Sequence, residues 1–267
     1  VKGLEESSGD GATTDELFAG ALVEVATDDD EGAVPLLVAL HGRPTREVFD
    51  RAARLLARED PVERELGARV LRELGPYDDE GRRPFTTETI AVVIAEMGDE
   101  PDPWVLGWMI SVLGYHCAHQ ALDLVLDHRG HPAQPVRFAV AAALPALADP
   151  DHTERRVVET LLRLAEDENE DVRWYAAYAL FNETAGVGDE QRRLWAGHLI
   201  ARADAQRGEE LAHIATTLDD DADPTLRALL AEGGSRGFRS TAVGAVAGSG
   251  GSEGEVAAVA GLEGMDL

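Results

Sequence analysis

Aromatics, cysteine, lysine and long apolar runs are all scarce in this chain. Aromatic residues make up only 5 % of it. A single cysteine, Cys117, excludes any intramolecular disulfide and suits a reducing compartment. Lys2 is the sole lysine, so 23 of the 24 cations are arginine. The longest strongly apolar stretch, residues 104–118, is interrupted by Gly107, Gly114 and His116. It is also shorter than the ~20 residues a bilayer span needs. Residues 1–16 hold no apolar core of the kind a secretion signal carries. These absences point to a cytoplasmic protein. Positive charge is scarce as well: 24 basic against 51 acidic residues leave a net charge of −27. That excess repels phosphate backbones and anionic lipid, so neither direct nucleic-acid binding nor membrane docking is expected.

What the chain does have is Ala, Leu and Val at helical spacing. In "TREVFDRAARLLARED" the apolar residues Val48, Phe49, Ala52, Leu55 and Leu56 share one face, with Arg51, Arg54 and Arg58 opposite. "DPVERELGARVLRELG" then starts a new helix, with Asp60 as cap, Pro61 in the first turn, Glu63 completing a capping box and Gly75-Pro76 as the stop. Thr13-Thr14-Asp15-Glu16 is a second capping box, ahead of "LFAGALVEVA". A short helix is expected over residues 33–40, with Pro35 in its first turn. No segment alternates with period two, so no sheet is expected.

The pattern returns along the chain. "QPVRFAVAAAL" (134–144) and "EDVRWYAAYAL" (170–180) share Val-Arg, two variable residues and a small apolar run ending in Leu. Leu71, Leu113, Leu144 and Leu180 close successive copies, at spacings of 42, 31 and 36 residues. A period of about 36 signals stacked helical hairpins, each too thin to bury its own apolar face. With "DPVERELGARVL", these segments resemble the second helix of HEAT repeats, including phycobilin lyase-type ones. The resemblance is good over residues 44–182 and looser over 13–42 and 187–230, and the 101–114 copy has Leu106 where Arg would stand. It implies an all-α fold, a right-handed α-α superhelix of about five to six hairpins spanning residues 13–232. Residues 1–12 are expected to be disordered. The segment 233–267, with ten glycines, is expected to be a flexible tail, with residues 256–262 as its one candidate for a short docked helix.

The resemblance implies a non-catalytic interaction scaffold more readily than an enzyme, and no cofactor. Phosphate loops, zinc-type cysteine pairs and nucleophile elbows are all missing. Deoxyhypusine hydroxylase-like relatives bind iron through His-Glu steps, and none of the eight histidines here precedes Glu. A HEAT-like DNA glycosylase needs a basic face. The histidine-rich stretch His116, His119, His128 and His131, with Cys117, fits no standard metal spacing and reads more simply as loop and helix-end residues. Aligning the copies puts Trp108, Phe138, Trp174, Tyr175 and Tyr178 at variable positions of second helices, which line the concave surface in HEAT-like stacks. They form either an aromatic binding strip rimmed by acid or packing between neighbouring helices. Residues 43–75, with 8 basic and 7 acidic residues, are the one stretch that is not net acidic. There Arg51, Arg54 and Arg58 are either a docking patch or partners in i,i+4 pairs such as Glu47–Arg51, Asp50–Arg54 and Glu65–Arg69. The expected partner is a protein or peptide of basic character, met by a monomer. The alternatives are a lyase or metal-dependent enzyme, or an acidic mimic of nucleic acid.

Overall fold

Helix starts are written by the same few residues throughout. In a computed structural model, residues 11–27 and 32–243 are described, with side chains to residue 233. Thirteen α-helices follow one another, and no strand occurs among the described residues. They are α1 (Thr14–Thr27), α2 (Pro35–His41), α3 (Arg46–Leu55), α4 (Pro61–Glu73), α5 (Thr86–Met97), α6 (Pro103–Tyr115) and α7 (Leu122–Asp127). Then come α8 (Gln134–Leu147), α9 (Arg155–Leu164), α10 (Glu170–Asn182), α11 (Asp189–Arg202), α12 (Ala205–Thr217) and α13 (Pro224–Val243). Side chains of Thr45, Asp60, Asp102, Asn169 and Asp204 each accept a backbone N–H of the helix they precede. These donors have no partner inside the helix, so a short polar side chain just outside satisfies them. Thr13 and Glu16 form the expected reciprocal box, 2.8 Å and 3.3 Å. Glu63 does not: its carboxylate pairs with Arg58 at 3.2 Å, and Asp60 caps α4 alone. The cap of α2 comes from α1, whose Glu24 carboxylate accepts from Leu36 and Leu37.

The Arg of the repeated Val-Arg step closes the corner between helices. Arg64, Arg137 and Arg173 each stand four residues past the N-cap of α4, α8 and α10. Each donates from one terminal nitrogen to two carbonyls of the corner just before its helix. For Arg64 these are Arg58 and Glu59, for Arg137 His131 and Pro132, for Arg173 Asp167 and Glu168, all at 2.7–3.0 Å. Arg192 of α11 and Arg227 of α13 do the same for carbonyls of residues 180–184 and 215–219. Carbonyls at and beyond a helix end lack intrahelical partners, and a guanidinium fork satisfies several at once. Leu106 occupies this position in α6 and is buried instead. The repeat thus encodes a corner clamp as well as a core.

Contacts divide the chain into two units, Val1–Pro150 and Asp151–Leu267. In the first, α1 pairs with α2, α3 with α4, and α5 with α6, while α6 packs between α4 and α8. Its core is aliphatic: Leu40, Leu66, Leu71, Met109, Ile110, Leu113 and Leu144 are fully buried. Gly67 lets α3 and α4 approach, since a Cβ there would lie 2.7 Å from the Ala52 carbonyl. In the second unit α9 pairs with α10, α10 packs on α12, and α13 lies against α11 and α12.

Some boundaries differ from expectation. The segment read as one first helix, "HQALDLVLDH", is a 3-10 turn at His119–Ala121 followed by the short α7. Helix α13 continues ten residues past the expected start of the tail, to Val243. Residues 1–10 and 244–267, including the helix expected at 256–262, lie outside the described residues. Among the described residues no helix is long and apolar enough to cross a membrane.

Candidate functional site

On every second helix the side chains left half-exposed follow the helical period. They are Glu65, Arg69 and Arg72 on α4; Trp104, Trp108, Ser111 and Tyr115 on α6; Phe138, Ala142 and Pro145 on α8; and Trp174, Tyr175, Tyr178 and Asn182 on α10. The opposite faces hold the buried Val, Ala and Leu of the repeat. Three of the second helices, α6, α8 and α10, carry little charge, whereas α4 is charged along its half-exposed face. Helix α6 has no charged residue, and α8 has only the clamp Arg137, 8 % exposed. On α10 charge is confined to Glu170 and Asp171 of the first turn and the buried Arg173. First helices such as α3 and α9 are charged on their outer faces, with pairs like Arg155–Glu159 at 2.7 Å.

In the first unit two guanidinium groups of α4 lie over Trp108, Arg69 at 4.8 Å and Arg72 at 4.9 Å from its ring centre. Arg72 also lies over Tyr115 at 4.4 Å. Cations are drawn to the negative faces of these rings. Arg69 is paired with Glu65 at 3.2 Å, and Arg72 with Glu73. The Tyr77 hydroxyl donates to the Tyr115 carbonyl at 3.2 Å. Trp104, Tyr77 and Tyr115 are 54 %, 50 % and 39 % exposed, and sequence registration missed all three. Trp104 and Tyr115 carried a usable signal, standing four residues before and seven after Trp108 on one helix stripe. Tyr77 lies in the loop after α4 and had none. Phe138 is half-buried on the neighbouring α8.

In the second unit Trp174 stacks on Tyr178, with ring centres 5.4 Å apart and planes 13° apart. Tyr175 meets Trp174 edge-on at 6.1 Å, and His213 of α12 tilts against it at 6.3 Å. All three expected aromatics of α10 therefore form one cluster, neither core nor fully exposed. Beside it a small cleft has an apolar floor of Trp174, Ala177, Leu199, Leu211 and Ile214. Its charged lining residues are Arg173, Arg202 and Arg207 with Glu166 and Glu210. Both carboxylates are engaged. Glu210 takes a two-pronged bond from Arg173, 3.0 Å and 2.6 Å. Glu166 meets His198 at 3.0 Å and Arg202 at 3.3 Å.

Against known protein families, residues 90–180 match HEAT repeats. Over that stretch the chain is similar to HEAT repeats. The matched stretch runs from α5 into α10 and includes both exact Val-Arg copies. HEAT repeats generally mediate contacts between proteins. No curated protein matches the chain.

The remaining candidates serve the helical frame. Arg51 pairs with Asp15 of α1 and lies over the Phe18 ring at 4.4 Å, so it fastens α3 to α1. Arg58 binds Glu63, and Arg54 is exposed without an ion-pair partner among the described residues. Of the expected i,i+4 pairs only Glu65–Arg69 forms; Asp50 turns to Arg46 at 3.4 Å. The histidines point to different backbones. Nε2 of His116 donates to the Leu71 carbonyl at 3.0 Å, while Nδ1 meets the Thr86 hydroxyl at 2.9 Å. Nδ1 of His119 donates to the Leu147 carbonyl, and that of His131 accepts from Ala133. His41 likewise donates to the Arg69 carbonyl. Burial holds His41, His116 and His128 below the usual imidazole range, because the charged ring loses hydration there. Among the described residues no three His, Cys, Asp or Glu converge as metal ligands.

Proposed function

We propose that the protein is a non-catalytic scaffold that binds a protein or peptide through the outer faces of its second helices. The observation that carries this reading is the charge contrast. In a chain that is 28 % charged, α6, α8 and α10 offer aromatic and small residues with no exposed charge beyond a first turn. Uncharged aromatic faces are where binding partners bury surface, and Trp and Tyr are the commonest anchors. Trp174, Tyr175 and Tyr178 would act as one anchor group, and Trp104, Trp108, Tyr115 and Phe138 as another.

Site-specific photocrosslinking in the source cells tests this. A photoreactive residue is placed at Trp108, at Tyr175, or at Glu159 on the charged face of α9. Adducts with a common protein at Trp108 and Tyr175 but not at Glu159 are the expected outcome. Equal capture at all three positions refutes the assignment of the face.

A further inference from the structure

The cleft of the second unit carries more specific chemistry than an apolar anchor site. Its cations are unequally used. Arg173 spends its donors on Asp167, Glu168 and Glu210, and its side chain is 7 % exposed. Arg202 reaches Glu166 through Nε, with its side chain 47 % exposed. Arg207, half-buried in the third position of α12, lines the cleft. Its guanidinium has no hydrogen-bond or ion-pair partner among the described residues. The rim holds three arginines against two glutamates, and both glutamates are already paired. The excess of positive charge among the cleft residues contrasts with a chain of net charge −27.

From this we infer that the cleft binds an acidic side chain of a partner peptide, with a neighbouring apolar side chain seated on Trp174. The inference rests on the scaffold reading and specifies the partner's chemistry. The Arg207 fork suits a carboxylate, which can accept two parallel N–H bonds. Arg202 lines the same cleft. Trp174, Leu199, Leu211 and Ile214 supply the apolar floor for the adjoining residue. A lysine-bearing peptide has no unpaired carboxylate to meet here, since Arg173 holds Glu210 and both His198 and Arg202 hold Glu166. Salt provides a second signature. Long-range repulsion between an acidic peptide and this chain is screened more readily than the short contact to Arg207. Affinity therefore stays level or rises with salt, whereas a basic partner is lost.

The test uses the full chain and a random dodecapeptide library displayed on phage. Wild type is expected to enrich peptides with Asp or Glu beside a large apolar residue. Arg207→Gln is expected to lower the affinity of the best such peptide about tenfold or more, and Arg207→Lys, which keeps the charge but not the fork, to lose less. Replacing the peptide's acidic residue by its amide should reproduce the loss in wild type and add little in Arg207→Gln. Enrichment of basic or uncharged peptides overturns the inference. If those peptides are lost on Trp174→Ala, the scaffold reading stands without it. An acidic peptide indifferent to Arg207→Gln also overturns it. So does a library that enriches nothing, while the crosslinking contrast judges the scaffold separately.

Discussion

Replacing Arg173 by Met, which keeps most of the volume and removes the fork, should be among the most damaging single changes in the second unit. The side chain makes two bonds to corner carbonyls, 3.0 Å and 2.9 Å, and two to the Glu210 carboxylate, 3.0 Å and 2.6 Å. Both partners are well covered, Arg173 at 7 % and Glu210 at 19 % side-chain exposure. The bond to Glu210 holds the guanidinium even above its ordinary pKa. Breaking such a pair strands one charge, at a cost of about 3–5 kcal/mol. The two freed carbonyls contribute to that loss, less whatever water reaches them. Adding Glu210→Gln should return about 2 kcal/mol, because the stranded charge is then gone. The exposed pair Arg46–Glu88, 55 % and 49 % exposed, is the control and should cost about 0–1 kcal/mol. Urea unfolding followed by far-UV circular dichroism gives all four values, provided the slope stays constant. A loss below about 1 kcal/mol for Arg173→Met, equal to that of the control, would refute the corner-clamp reasoning.

Three further outcomes are expected. Gly75 sits at φ +79°, where a Cβ would lie 2.8 Å from both Pro44 and Pro84, so Gly75→Ala should lower stability by about 2 kcal/mol or more in the same urea assay. His41 and His116 are buried with folded pKa values below 6.5, so below that pH the unfolded chain takes up protons the folded one refuses; stability should fall as pH drops from about 6.5, and His41→Gln with His116→Gln should flatten that slope. Trp174→Ala with Tyr178→Ala should cut binding of a crosslinked partner at least about tenfold, measured by calorimetry, with helicity unchanged. An unaltered affinity there removes the α10 cluster from the site.

Much of the fold was legible because it is local. Asp60-Pro61, Asp102-Pro103 and Asn169 mark helix starts through caps that act within three residues. The apolar period shows which face packs, and the recurrence of Val-Arg shows that one unit is stacked repeatedly. The end of α13 was not legible, since the glycines at 233, 234 and 237 read as a break while the helix runs through them to Val243. The aromatic residues of α10 were legible by registration, but Tyr77 of the first unit was not.

Sequence alone thus determined the all-helical HEAT-like repeat, the positions of its second helices and the aromatic residues on the outer stripes of α6, α8 and α10, because each follows from spacings of three, four and about 36 residues. Tertiary structure decided how the charges are spent. Arg51 joins α3 to α1 instead of pairing within its helix, Arg173 neutralises Glu210 from 37 residues away, and Arg207 lines the cleft with no ion-pair partner among the described residues. Ion pairs form between side chains that the stacking of helices brings within a few ångströms. That proximity is not encoded in the local pattern, so which arginines are paired and which line the cleft could not be read from net charge.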